Sequence, residues 1–300
     1  MLAAVALAMA AIAHDLRGTP EALAGPGEAT IKQAACSLLP GAERRAVARV
    51  ADADTLVLDD GRSVRLAGTL APSGTDAGSS AGHWPPEREA LSWLQQITAG
   101  RSVLIAKTQS TLDRYGRISA HVFLLERDGS ALWLQGAMLA AGHARAYALP
   151  GQAACLDALL QAESPARLDR LGLWGNAAYA VRHAYRSNEL LKVRNTFQIV
   201  EGRVMRVANV KGRIYLNFGR DWHQDFTVAI GRKLVRSEPD WAAMLGAIEG
   251  RRVRVRGWIE RRNGPMIVVG HPQDLEIIGG HPQAAPHRAP ALGRHGAIRP

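Results

Sequence analysis

Four charged residues have the types and spacing to act on an anion. Asp52 and Asp54 are carboxylates two positions apart. Arg65 and Arg117 are cations, the second closing the segment Asp113-Arg114-Tyr115-Gly116-Arg117. An arginine fork can hold two oxygens of one phosphate and stays charged at physiological pH. Paired carboxylates can hold a hard cation or take up a proton. Tyr115 offers a ring beside Arg117. Each piece also has a plainer reading. Asp-x-Asp before a strand is common turn chemistry, Arg65 suits an exposed strand face, and 113–117 reads as a glycine-containing turn.

From Arg65 the chain runs Arg65-Leu66-Ala67-Gly68-Thr69-Leu70-Ala71-Pro72-Ser73. Together with Asp52, Asp54 and the 113–117 segment, this run resembles the active-site frame of the staphylococcal nuclease (thermonuclease) family, over about residues 44–176. In that family the run usually reads Arg-Leu-x-Gly-Ile-Asp-Ala-Pro-Glu. The resemblance implies a phosphodiesterase site in which Arg65 and Arg117 act on the phosphate. It also implies a calcium ion held by Asp54 with Asp52 beside it, and Tyr115 packed against the nucleotide. Leu70 and Ser73 stand where the family has its second metal-binding Asp and its general-base Glu.

Those two replacements fall on the chemistry. Leucine has no oxygen for calcium, which wants six to eight. Serine is a poor base at neutral pH, and losing a general base slows a reaction by about 10²–10⁴. The expectation is a thermonuclease-like protein that binds nucleic acid, DNA or RNA, in single-stranded form, with hydrolysis weakened or lost. Two alternatives stay open. One is an active metal-dependent endonuclease in which Asp76, His83, Glu87 or Glu89 replaces the missing acids. The other is a cell-envelope module whose barrels bind protein or glycan.

The elements that must position these residues are short and mainly β. Residues 47–50, 55–58 and 63–67 alternate apolar and polar side chains, as half-buried strands do. Asp59-Asp60-Gly61 forms a tight turn between the last two. Residues 73–83 read as a loop, and a helix starts at Pro85-Pro86 and ends at Gly100. Strands follow at 102–107 and 118–125. Further helices are expected at 133–141 and at about 154–171, the second broken near Pro165. Five strands with two or three helices is the inventory of an oligonucleotide/oligosaccharide-binding (OB) barrel, and the family resembled has that fold.

Residues 177–195 read as a charged helical connector. Strands at 197–207, 213–218, 226–230, 251–259 and 266–269, with a helix at 239–248 and an Asn263-Gly264 turn, suggest a second, OB-like barrel over 196–278. Gly61-Arg62-Ser63-Val64-Arg65 and Gly250-Arg251-Arg252-Val253-Arg254 hint at a distant repeat. The fold expected is thus mainly β with helices, a barrel at 37–176 followed by another at 196–278.

The net charge of +10 is uneven. Residues 37–185 hold 15 Lys and Arg against 14 Asp and Glu, whereas 196–278 hold 14 against 9. A basic surplus of this kind suits a polyanion binder. Arg252, Arg254 and Arg256 alternate with Val253 and Val255, which puts the arginines on one strand face. With Trp258 nearby they form a candidate single-strand surface, charge following the backbone and a ring stacking on bases. The plainer reading makes the rings core and the arginines a solvated face.

Met1–Ala13 is an uncharged apolar run, too short to span a bilayer, so no stable membrane span is expected. It reads as a signal-like segment within 1–24, with Ala11-Ile12-Ala13 as a cleavage site, which implies export to the periplasm or beyond. The two cysteines, Cys36 and Cys155, are either one disulfide in an exported chain or two unrelated buried thiols. Residues 279–300 lack periodicity and read as a disordered basic tail. Nothing in the sequence points to a protein partner.

Overall fold

The structure is a computed structural model that describes residues 41–77, 83–149 and 153–279. The signal-like segment, Cys36 and the tail from residue 280 lie outside the described residues. In the first half the elements are β1 (Glu43–Asp52), β2 (Thr55–Leu58), β3 (Ser63–Leu66), β4 (Thr69–Leu70), α1 (Pro85–Thr98), β5 (Ser102–Leu112), β6 (Ile118–Leu125), β7 (Ala131–Trp133), α2 (Leu134–Ala140), β8 (Arg145–Ala146) and α3 (Leu156–Leu168). Strand β1 pairs with β2, β2 with β3, β3 in parallel with β6, β6 with β5, and β5 with β1. That ring closes a five-stranded barrel. Its inside is filled by alternate residues such as Leu56, Leu58, Val64, Leu66, Ile105 and Val122.

The second half contains β9 (Arg182–His183), α4 (Ser187–Lys192), β10 (Phe197–Arg203), β11 (Arg206–Val210), β12 (Arg213–Asn217), β13 (Thr227–Ile230), α5 (Arg232–Ser237), α6 (Pro239–Leu245), β14 (Arg252–Arg262), β15 (Gly264–Val269) and β16 (Leu275–Ile278). Strands β10 and β11 behave as one strand bent at Val204-Met205. Val204 N–H donates to Arg251 C=O on one side, and Met205 N–H to Asn217 C=O on the other. Around that bend β11 pairs with β12, β12 with β13, β13 in parallel with β15, β15 with β14, and β14 with β10. This is the strand order of the first barrel. In both, helix is inserted between the third and fourth strands.

Several sequence expectations need correction. Trp133 ends a strand before α2 begins. Helix α3 runs through Pro165 unbroken and stops at Leu168; proline there forfeits one helical hydrogen bond, close enough to the end for the helix to continue. The expected connector 177–195 is largely part of the second unit, since β9 pairs in parallel with β10. Segment 197–207 is two strands divided by the bend, and α5 precedes the expected helix. The repeat hint fails in register: Gly61-Arg65 enters a third strand, Gly250-Arg254 a fourth. Among the described residues, no helix is long and apolar enough to cross a membrane.

The barrels touch through a small apolar cluster that includes Ala166, Leu173, Trp174, Tyr179 and Ile199. Two buried arginines cross the same junction. Arg256 on β14 makes a two-pronged ion pair with Glu163 on α3, both contacts 3.0 Å. Arg145 on β8 donates to Phe197 C=O at 2.7 Å and to Asp76 at 2.9 Å.

Candidate phosphate-directed site

Strand pairing puts Arg65 opposite Thr55 on one side and Ser119 on the other. Asp54 sits in the turn joining β1 to β2, and Arg117 immediately precedes β6. The barrel therefore gathers three separated motifs at one end of β3. Arg65 Nε lies 3.3 Å from Asp54 Oδ2. Arg117 Nη1 donates to Thr55 Oγ1 at 3.0 Å and lies 4.0 Å from Asp54 and 3.8 Å from Asp52. Its Nε donates to Asp113 at 2.8 Å.

Asp113 organises the arginine's own turn. Its carboxylate accepts from the Tyr115 and Arg117 amides, and Gly116 takes the left-handed φ of 75° that the reversal requires. Burial pushes the Asp113 carboxyl up, but the Arg117 amide, the Arg117 guanidinium and the Tyr115 amide outweigh it, leaving its pKa below the ordinary value. Tyr115 stands 67% exposed, with the Arg114 and Arg117 guanidiniums 4.8 and 5.3 Å from its ring centre.

Asp54 is different. Desolvation raises its pKa most; the Arg65 charge pulls down, Asp52 pushes up again, and the net shift is upward. Its oxygens already receive Thr55 Oγ1 and Arg65 Nε. These residues do not fit a calcium centre: one carboxylate already engaged by Arg65 and Thr55, one exposed neighbour, and a carbon side chain at Leu70. Ser73 has a local task instead. Its hydroxyl meets Thr75 Oγ1 at 3.1 Å and its amide donates to Asp76, opening a short 3₁₀ turn, Gly74–Ala77. Among the described residues, no three His, Cys, Asp or Glu side chains gather in a metal-holding group.

Two of the acids offered as replacements, Asp76 and Glu87, are engaged elsewhere. Asp76 accepts from Arg145 at 2.9 Å and from Tyr179 Oη at 3.0 Å, and Trp84 Nε1 donates to that same hydroxyl. Glu87 accepts from the Gly74 amide. Asp76 and Glu87 therefore anchor the segment after Ser73.

On the second barrel the expected arginine face is divided. Arg252 is exposed; Arg254 pairs with Glu201 at 2.7 Å and with Glu276 at 3.0 Å. Arg256 is 2% exposed and closed over by the first barrel, so it is a junction residue and cannot meet a nucleic acid from solvent. Trp258 is half-exposed, its ring edge-on to Phe197. Cys155 is not a free thiol.

Sequence reasoning passed over Thr55 and Glu163, and named Asp113 only as the start of its turn. The signal for Glu163 was present: on α3 it shares the apolar stripe of Leu156, Leu159 and Ala166, and a lone acid on such a stripe needs a buried partner.

The fold and these side chains define an OB-type barrel that aims two arginines at one carboxylate-lined spot. Residues 63–176 match the family model described as staphylococcal nuclease homologue, which marks this part of the chain as a staphylococcal nuclease-like domain. No curated protein matches the chain.

Proposed function

We propose that this protein binds single-stranded nucleic acid, and that its staphylococcal nuclease-like barrel hydrolyses it weakly or not at all. The observation that carries this reading is the convergence of Arg65 and Arg117 on Asp54, at 3.3 and 4.0 Å, beside a run that holds Leu70 and Ser73 at its two chemical positions. A phosphate entering here competes with Asp54 for both forks. Burial raises the Asp54 pKa; neutralising it releases Arg65 for a bidentate grip, while Arg117 stays positioned by Asp113 and Thr55. Stabilisation of phosphate charge is then available, while activation of water has no carboxylate dedicated to it.

The test is labelled single-stranded DNA, measured for binding across a salt series and for cleavage with and without calcium. Expected is binding that weakens steeply with salt, loss of affinity in Arg65→Ala and in Arg117→Ala, and negligible cleavage. Circular dichroism checks that both variants fold. Calcium-dependent cleavage abolished by both substitutions would establish the active-endonuclease alternative. Absence of binding, or binding indifferent to salt, would favour a protein- or glycan-binding module.

A further inference from the structure

The outward face of the second barrel carries a cleft of about 610 Å³, within the range of small-ligand sites. Its side chains follow from register. Arg206, Asn217, Thr227 and Met266 form one row across β11, β12, β13 and β15; Ala208, Tyr215, Ala229 and Val268 form the next. Tyr215 therefore has an alanine on each side. Small neighbours leave both flanks of its ring open, where larger residues would fill a sheet face.

Over this floor stands the segment between β12 and β13, carrying Arg220 and Trp222. Trp222 is 55% exposed, and one of its faces is stacked on His223 at 3.7 Å. The segment is held in place. Asp225 accepts from the Asp221 amide, and Asp221 accepts from His223 and Gln224. A Cβ at Gly264 would run into the Gln224-Asp225 backbone, and one at Gly219 into the Asp225 side chain. The β14–β15 reversal at Asn263, with φ 65°, brings Arg262 to the opposite wall. Arg206, Arg220 and Arg262 line the cleft, and among the described residues no carboxylate does. Arg262 meets Glu260, on its own strand, in an exposed pair, which is worth little in water.

We propose that this cleft is the second barrel's binding site for single-stranded nucleic acid, with bases on Tyr215 and Trp222 and phosphates on Arg206, Arg220 and Arg262. It rests on the nucleic-acid reading above and moves the second barrel's contact away from Arg252, Arg254 and Arg256 to the far end of β14. Rings with an open face accept any base, and a wall lined by three cations suits a polyanion over a neutral sugar.

The experiment is fluorescence anisotropy of a labelled oligothymidylate with the full chain, over a salt series. Tyr215→Ala and Trp222→Ala are each expected to weaken binding roughly tenfold, and Tyr215→Phe to retain it. The triple Arg206, Arg220 and Arg262→Ala variant should lower the slope of log affinity against log salt by about 2. A neutral oligosaccharide is the second probe; tight binding of it, lost in Tyr215→Ala, would overturn the proposal in favour of a glycan site. If the cleft variants bind the oligothymidylate as wild type does while Arg65→Ala does not, the cleft proposal fails and the first-barrel reading stands. If wild type itself does not bind, the underlying nucleic-acid reading fails.

Discussion

His121 faces away from the barrel interior on β6 and is covered there, at 2% exposure, its ring 5.8 Å from Trp133. Burial depresses its pKa to about 4, against a weaker opposing hydrogen bond with the Ala154 backbone. The unfolded chain therefore takes up a proton near pH 6.5 that the folded chain refuses until about pH 4. Stability from this group is fully present above about pH 6.5 and is lost as pH falls towards 4, a total of about 3 kcal/mol. His121→Gln, uncharged throughout, should lose about 2 kcal/mol less than wild type between pH 7 and pH 5, measured by urea unfolding at both. An unchanged pH profile would mean that the site opens to water. At this scale the sequence was legible where motifs were local. Asp113 to Arg117 folds as a turn around its own Asp, and all its parts are adjacent in the chain. Arg256 was misread because its partner, Glu163, lies 93 residues away, and strand alternation says which face a residue takes but not what covers that face.

The elements divide in the same way. Strands β2, β3 and β6 were readable because period-two patterning and the Asp-Gly turn are local signals. The bend at Val204-Met205 was not, because it exists to let one strand serve two neighbours. Helix α3 shows how an element joins the two levels. Its Glu163 accepts from the Ala146 amide and from Arg256. Desolvation pushes the carboxyl up, and Arg256's charge and hydrogen bonds bring it below its ordinary pKa. Removing either charge leaves the other buried with only its longer ion pair, Arg167 for Glu163 at 3.4 Å and Glu276 for Arg256 at 3.3 Å. Glu163→Leu and Arg256→Met should each cost about 3–5 kcal/mol, whereas the two changes together should cost less than the sum. Denaturant midpoints of the four proteins form the double-mutant cycle. Additive losses would show that the pair is not coupled.

For the whole molecule, the shared strand order makes two barrels that each own a core and could each melt alone. What opposes separate melting is the junction. Arg145 bridges Asp76 to Phe197 and lies 4.8 Å from the centre of the Tyr179 ring, and His271 meets Leu149 C=O at 3.0 Å. The same links fix the segment that follows Ser73, through Asp76, and set it against the first strand of the second barrel. The phosphate-directed site and the outer cleft are therefore carried on connected frames. Interfaces of this kind couple unfolding when their contacts are buried. Scanning calorimetry should show a single transition for wild type. Arg145→Met removes the guanidinium that ties Asp76 to Phe197, so it should split that transition into two, with the barrels melting apart. Two transitions already in wild type would show that the junction, though buried, does not couple the barrels.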